Sequence, residues 1–429
     1  MARIKVAGFM SLKSVDIALG RMTVFIGPQA QGKSLVLKLI HFFETVMNLA
    51  VNVYVADNVR LASLKKDSLA RFEAYFPKYI WGTSAFQISY LDGDFEINIT
   101  RRTERTNTPA EMSFGAKFEE QLKLAHDRYK KLRPKSEEFL LGYSARRRLL
   151  DTVLAENAPL ARAGIEPVFI PASRSFFANV EKNIFALISS KFELDPLMAE
   201  FGTTLEATRR SMLFEESVRK GGRSTRRGAI RRRDWTSIIN GDYIYDGDEE
   251  SIETDGRRVR IANSSSGQQE VIPMLLVLHS YSLHEPNPYL LRRSTPGTSF
   301  LVEEPEAHLF PRAQKLVSSL LVEAMNRAPT NRVIFTTHSP YMLTAINNLN
   351  LAGRIVPDAT GKEKRRLLAK FPPLRQIAPG HLAAYRVDGG SVDSILDPET
   401  GLVNGMLIDE VSMEFAEEFD ELLSHRSSK

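Results

Sequence analysis

Gly27-Pro28-Gln29-Ala30-Gln31-Gly32-Lys33-Ser34 is the stretch on which the reading of this chain turns. It fits the pattern G-x-x-x-x-G-K-[ST]. Met22-Thr23-Val24-Phe25-Ile26 before it is a short, apolar, β-branched run that predicts a buried strand. Leu35-Val36-Leu37-Lys38-Leu39-Ile40-His41-Phe42-Phe43 after it predicts a buried helix. Strand, loop and helix in that order are the setting in which the pattern binds phosphate. Gly27 and Gly32 permit backbone angles that side chains block, so loop N–H groups, those of Gln29 and Gln31 among them, can turn inward on phosphate oxygens. The helix N-terminus adds partial positive charge. Lys33 is placed to reach the β- and γ-phosphates and Ser34 to ligate Mg²⁺, so ATP with Mg²⁺ is the expected ligand.

The chain has 429 residues, too many for one ordinary core and enough for two or three lobes. Its hydrophobic fraction of 43% is that of a soluble globular protein. No run approaches the roughly 18 apolar residues of a membrane span, and Met1–Val6 moves straight into strand-like alternation. We therefore expect no signal peptide, no membrane and a cytoplasmic setting. The absence of cysteine excludes disulfides, thiolate metal sites and a Cys nucleophile. Formal charge is +5, and its distribution is uneven. Arg219 to Arg233 holds eight basic residues and no acidic one; the remainder carries 49 basic against 52 acidic residues. The positive character is local.

Along the chain, residues 3–19 predict two short strands. Phe86–Tyr90 and Phe95–Ile99 alternate about Asp92-Gly93, a hairpin signal. The charged residues 103–137 suit an exposed helix from Phe118 onward, and Val168-Phe169-Ile170-Pro171 a strand. Residues 175–215 are expected to be helical, with Phe176, Phe177, Val180, Ile184 and Leu187 at helical spacing. The basic stretch 219–233, with three glycines and no hydrophobic face, reads as a mobile loop. Short strands over 242–262 precede helix 268–283, strand 299–302, helix 311–326, strand 332–337 and helix 340–348, an alternation that predicts an α/β sheet. The tail 351–429 begins with a basic linker (Lys362, Lys364, Arg365, Arg366). It ends in an acidic amphipathic helix with Phe415, Phe419 and Leu422 on one face.

Three further clusters carry chemistry. Phe300-Leu301-Val302-Glu303-Glu304-Pro305-Glu306 is an apolar strand ending in carboxylates, as a phosphate-loop site requires. Glu303 is assigned to the Mg²⁺ shell and Glu304 to polarising the attacking water. Ser264-Ser265-Ser266-Gly267 before an apolar helix offers either a second anion-binding end or a plain N-cap. Val333–Thr337 delivers His338 at a strand's carboxyl end, where a histidine can sense a γ-phosphate or serve structure.

The order of these motifs (phosphate loop, S-S-G-Q-Q-E, V-E-E-P-E-A-H-L, T-T-H-S-P) resembles the ABC-type ATPase heads. It is most similar to the overcoming-lysogenization-defect (OLD)-like branch and related anti-phage ATPases such as those of Septu and PARIS systems. The resemblance covers about residues 1–50 and 260–350. It implies an α/β fold: a mixed sheet carrying the phosphate loop, an antiparallel β subdomain and a mainly helical insertion. It also implies a head-to-head dimer, or a higher oligomer, sandwiching two ATP molecules. Carried over, Ser266 and Gly267 touch the γ-phosphate held by the partner's Lys33, Glu304 is the catalytic carboxylate and His338 the switch histidine. Gln268 stands where the wider family has a second glycine. The segment Val168–Arg174 falls where the family's metal-contacting glutamine element lies; no glutamine takes that place, and Arg174 is taken as a nucleotide contact.

This divides the chain into 1–102 (first half of the head), 103–240 (insertion), 241–350 (second half) and 351–429 (accessory tail). No sustained heptads support SMC-type arms, and the tail lacks the acidic pattern of a Toprim nuclease. The function expected is an ATP-hydrolysing switch working with a separate effector, a nuclease, in anti-phage defence. DNA or an acidic DNA-mimic protein is a candidate partner of 219–233. Two other readings stand beside it: a RecF-like DNA-binding repair ATPase, and a scaffold in which ATP is structural.

Overall fold

Successive residues of Met22–Ile26 point into different cores, which sets the architecture. The computed structural model describes residues 2–57, 59–102, 109–134, 143–178, 194–219, 228–230, 233–246, 249–282, 297–403 and 417–420. The larger sheet is built from β1 (Ala2–Phe9), β2 (Leu12–Ala18), β3 (Met22–Ile26), β4 (Phe86–Asp92), β5 (Phe95–Arg101), β6 (Glu111–Phe114) and β7 (Glu166–Ile170). A second sheet holds β8 (Gly228–Ile230), β9 (Asp242–Tyr245), β10 (Glu250–Thr254) and β11 (Arg257–Arg260), in the order β11-β10-β9-β8. Then β12 (Thr298–Glu303), β13 (Arg332–Thr337), β14 (Leu382–Asp388) and β15 (Ser391–Ser394) return to the larger one. Its order is β6-β5-β4-β1-β2-β15-β14-β3-β13-β12-β7. From β6 to β2 the strands are antiparallel; β14, β3, β13, β12 and β7 are mutually parallel. The sheet is mixed α/β with an antiparallel wing, the architecture expected from the motif order.

The parallel part is covered on both faces, as such strands must be. Met22, Val24, Phe300, Val302, Val333 and Phe335 face one core, packed by Met274, Leu321 and Ile346 of the helices Ser266–Ser282, Pro311–Asn326 and Pro340–Ile355. Phe25, Leu301 and Ile334 face the other, with Val36, Leu39, Ile40 and Phe43 of helix Lys33–Leu49. Each such side chain contributes roughly 1.5–3 kcal/mol of transfer free energy.

Several expectations change. Helix Lys33–Leu49 runs on through a π-helical turn, Ala50–Tyr54, and is long and apolar enough to cross a membrane, contrary to the sequence reading. Its apolar window is 78% buried inside the protein, where it forms a core helix. Within the basic stretch, Gly228–Ile230 is a strand paired with β9 and Arg233 opens helix Arg233–Ile239; residues 220–227 and 231–232 lie outside the described residues. Val180, Ile184 and Leu187 also lie outside them, as do Phe415 and Leu422. The insertion 103–240 supplies β6 and β7 to the main sheet. The tail from 351 supplies β14 and β15, with β14 directly beside β3; Leu382, Ala384 and Val387 are buried. The expected basic linker is the helix Gly361–Lys370.

Candidate functional site

The carboxyl ends of β14, β3, β13 and β12 meet at one edge, the place where parallel sheets bind ligands. β3 ends at Ile26 and the chain turns through Gly27, whose φ is 150°. A Cβ there would lie 2.2 Å from the Val387 carbonyl oxygen, so only glycine lets β14 approach. Gly32, at φ 103°, closes the loop against Leu12 and Ser11, and its carbonyl accepts from Val36 N–H. Lys33 is buried, and its Nζ donates to the carbonyls of Gly27 (2.8 Å) and Pro28 (2.6 Å). Burial lowers the Lys33 ammonium pKa, while Glu304 and Glu306 raise it. Ser34 is exposed at the helix start, Gln29 is exposed, and Gln31 Oε1 accepts from Gly389 N–H at 3.0 Å.

β12 ends at Glu303, buried, whose Oε2 accepts from Ala172 N–H at 3.1 Å. Glu304 follows in a left-handed conformation, φ 42°, strained for a residue with a Cβ. Its N–H donates to the Thr336 carbonyl at 3.1 Å, which fixes the turn to β13. The Glu304 carboxylate then lies 3.6 Å from His338 Nε2, both side chains part-exposed. His338 is set by its neighbours. Its N–H donates to Glu306 Oε1 at 2.7 Å, Thr337 Oγ1 donates to the same oxygen at 2.8 Å, and Ser339 caps the next helix through Tyr341 and Met342 N–H. Burial raises the Glu306 carboxyl pKa against the lowering effect of these bonds, and Glu306 Oε2 is buried with no hydrogen-bond partner. Thr336, Thr337 and Glu306 did not stand out in the sequence, although all three lie inside the quoted motifs.

Arg174 departs from the role expected. It is fully buried and lies under the site. Its Nε donates to the Glu270 carbonyl (2.9 Å), Nη1 to those of Pro171 (2.9 Å) and Glu303 (2.7 Å), and Nη2 to that of Glu304 (3.0 Å). Glu270 completes the tie by accepting from the N–H groups of Arg174 and Ser175. With its donors committed to backbone oxygens, this guanidinium positions the Glu303–Glu304 turn and does not reach a nucleotide. Its pKa is lowered by burial, with Glu270 opposing.

At the signature stretch, Ser265 caps the helix: its N–H donates to Gln268 Oε1 at 3.0 Å and its Oγ accepts from Gln268 N–H, a capping box. Ser266 is left exposed. Gly267 packs on the segment after β12, where a Cβ would meet the His308 carbonyl at 2.6 Å. Gln268 Nε2 donates to the Ile239 carbonyl, so the residue in place of a second glycine anchors helix Arg233–Ile239.

The donors fit a nucleoside triphosphate with magnesium. Gly27 and Gly32 let the loop close against Val387 and Ser11–Leu12, Lys33 Nζ lies inside that loop, and Ser34 and one Glu303 oxygen remain for a metal. Among the described residues no cluster of three or more His, Asp or Glu could hold an ion.

Residues 63–343 match the family described as AAA ATPase domain, a span that includes the carboxylate strand and His338. No curated protein matches the chain. Among solved structures, the chain is similar to the SMC head domain from Thermotoga maritima, at 12% identity over 92% of this chain and 97% of that one, with a TM-score of 0.34. The recombination mediator protein RecF-ATPrS in the RecFOR pathway is similar at 12% identity, 92% and 97% coverage and a TM-score of 0.32.

Proposed function

The chain belongs to the AAA ATPase domain family, and from that premise we propose an ATP-hydrolysing switch that closes head to head and controls a separate effector, a nuclease, in anti-phage defence. The ATP-binding ATPase is the family's; the dimer, the effector and the OLD-like branch are our reading of the motif order. The observation that carries it is the convergence of Lys33, Glu304 and His338 at the carboxyl ends of three adjacent strands, with Glu304 and His338 3.6 Å apart. Lys33 and the loop N–H groups would hold the phosphates, and Ser34 and Glu303 the magnesium ion, which would neutralise phosphate charge. Glu304 takes the proton of the attacking water. His338, held by Glu306, senses the γ-phosphate from the same edge. Ser266, exposed at a helix start, and Gly267 beside it reach the ATP of a second copy.

Glu304→Gln keeps the shape of this site and removes its base. The variant is expected to bind ATP and hydrolyse it at least a hundredfold more slowly. It should also accumulate as an ATP-dependent dimer or larger assembly in light scattering after size exclusion. Unimpaired turnover would remove Glu304 from the role; loss of turnover with no ATP-dependent assembly would leave an ATPase that does not work by head closure.

A further inference from the structure

The helix Gly361–Lys370 has no buried residue and carries Lys362, Lys364, Arg365, Arg366 and Lys370 against one acid, Glu363. Its two sides differ. Lys364, Leu367 and Leu368 are half-buried, and Lys364 Nζ donates to the Pro357 carbonyl at 3.0 Å. Lys362, Arg365, Arg366, Ala369 and Lys370 are exposed. At about 100° per residue these five fall within an arc of roughly 140°, so four cations form one stripe with Ala369 among them and the exposed Glu363 about 20° beyond its Lys370 edge.

Among the described residues, some exposed cations elsewhere on this surface are paired, and others, such as Lys66, Arg312 and Lys315, are not. The exposed arginines of β11 are neutralised at home: Arg257 by Asp255, Arg258 by Asp246 and Arg260 by Glu249. Among the described residues, no carboxylate lies within ion-pair distance of Lys362, Arg365, Arg366 or Lys370. Like charges at i, i+4 also repel along the helix, a cost that a polyanion would remove.

We propose that this stripe binds the phosphate backbone of double-stranded DNA without reading its sequence. From Lys362 to Lys370 the stripe is about 12 Å long, a length that matches about three or four phosphates of one duplex strand at one per 3.4 Å of axis. The one aromatic at the stripe among the described residues, Phe371, is part-buried beneath Lys370, whose Nζ lies 5.5 Å from its ring centroid, so successive bases have no row of rings to stack on, which argues against single strands. The exposed face also lacks the aromatic or aliphatic anchor that dominates protein interfaces, and lysine is depleted there. Along the chain the stripe is separated from the nucleotide edge by a full helix. Helix Pro340–Ile355 starts beside His338 and runs sixteen residues, about 24 Å, before the basic helix begins. The inference is independent of the effector and the dimer proposed above.

The test is a salt titration of a labelled 30-base-pair duplex of arbitrary sequence against the full chain between about 50 and 200 mM KCl. The comparison is with the quadruple variant Lys362→Ala, Arg365→Ala, Arg366→Ala, Lys370→Ala. Because the helix buries nothing, the variant should melt like the parent. It is expected to bind at least roughly tenfold more weakly at 100 mM KCl, with a log–log salt slope shallower by about 3. Arg365→Lys with Arg366→Lys should retain most of the affinity. An unchanged slope in the quadruple variant overturns the proposal. So does loss confined to a separate Arg226, Arg227, Arg231, Arg232, Arg233→Ala variant, or failure of the duplex to bind at 50 mM KCl while poly-glutamate does, which would make the stripe a site for acidic protein.

Discussion

Gly389 N–H donates to Gln31 Oε1 at 3.0 Å, which joins the turn between β14 and β15 to the centre of the phosphate loop. The same turn braces the loop elsewhere. Val387 opposes Gly27 across the strand pair, and the Gly390 carbonyl accepts from Lys13 N–H at 2.8 Å beside the Ser11–Leu12 wall of Gly32. The loop is thus clamped between two hairpins about 375 residues apart in sequence. Gly27→Ala brings its Cβ into the Val387 carbonyl and should weaken ATP binding at least tenfold in a titration with a fluorescent ATP analogue. Gln31→Ala removes one hydrogen bond, about 1 kcal/mol, and should weaken it about fivefold. Equal affinity in both variants would free the hairpin from any role in shaping the loop.

Much of this site could be read before the fold was seen, because its chemistry is local. Gly27 to Ser34, Glu303-Glu304 and His338 each sit in an unbroken run whose neighbours specify strand, turn and helix. What could not be read is what non-local packing decides. Leu382–Asp388 is a modest strand pattern, and nothing in it says that it pairs with β3 and not with another strand. Arg174 reads as a ligand contact because Val168–Arg174 falls where the resembled family has its metal-contacting element; only its burial among four carbonyls reveals a tie. Lys362, Lys364, Arg365 and Arg366 read as a linker by charge, because a ten-residue helix with no buried side chain leaves no hydrophobic periodicity in the sequence.

Glu306 gives a pH signature. Burial raises its carboxyl pKa in the folded protein above the ordinary value, so the native state holds this proton more tightly than the unfolded chain. The sign follows: its ionisation costs stability, and the cost grows as pH rises from about 4.5 toward the raised folded value. Glu306→Gln preserves an acceptor for His338 N–H and removes the charge beside the unpartnered Oε2. Its melting temperature should exceed the parent's near pH 7.5, and the gap should close near pH 4.5. A gap constant over that range would assign the effect to packing.

Arg174 and Glu270 form a buried pair, Nε to Oε2 at 3.5 Å, with side chains at 0% and 4% exposure. Truncating one partner of such a pair strands the other charge and costs about 3–5 kcal/mol. Arg174→Met should therefore lower the unfolding free energy by that order in urea, and it should slow ATP hydrolysis because the Glu303 and Glu304 carbonyls lose their anchor. Adding Glu270→Met should recover part of the stability and none of the turnover. A double variant less stable than the single one would show that the pair is not what holds the turn.

His41 sits on the phosphate-loop helix, wholly buried, its ring stacked on Tyr75 and edge-on to Phe169 at 5.3 Å. Neither ring nitrogen has a hydrogen-bond partner. Burial pushes its pKa down to about 4, so the folded protein keeps the ring neutral where the unfolded chain would protonate it. Stability tied to this residue is present above about pH 6.5 and is lost as pH falls toward 4, on the order of 3 kcal/mol across that window. His41→Phe fills the same aromatic pocket without a titrating group. The variant should be at least as stable as the parent at pH 7.5 and clearly more stable at pH 5, with ATP affinity unchanged because Lys33 and Ser34 lie two turns away. Parallel pH–stability curves for parent and variant would mean that the ring finds a proton acceptor when charged and that His41 is no acid-sensitive point of the core.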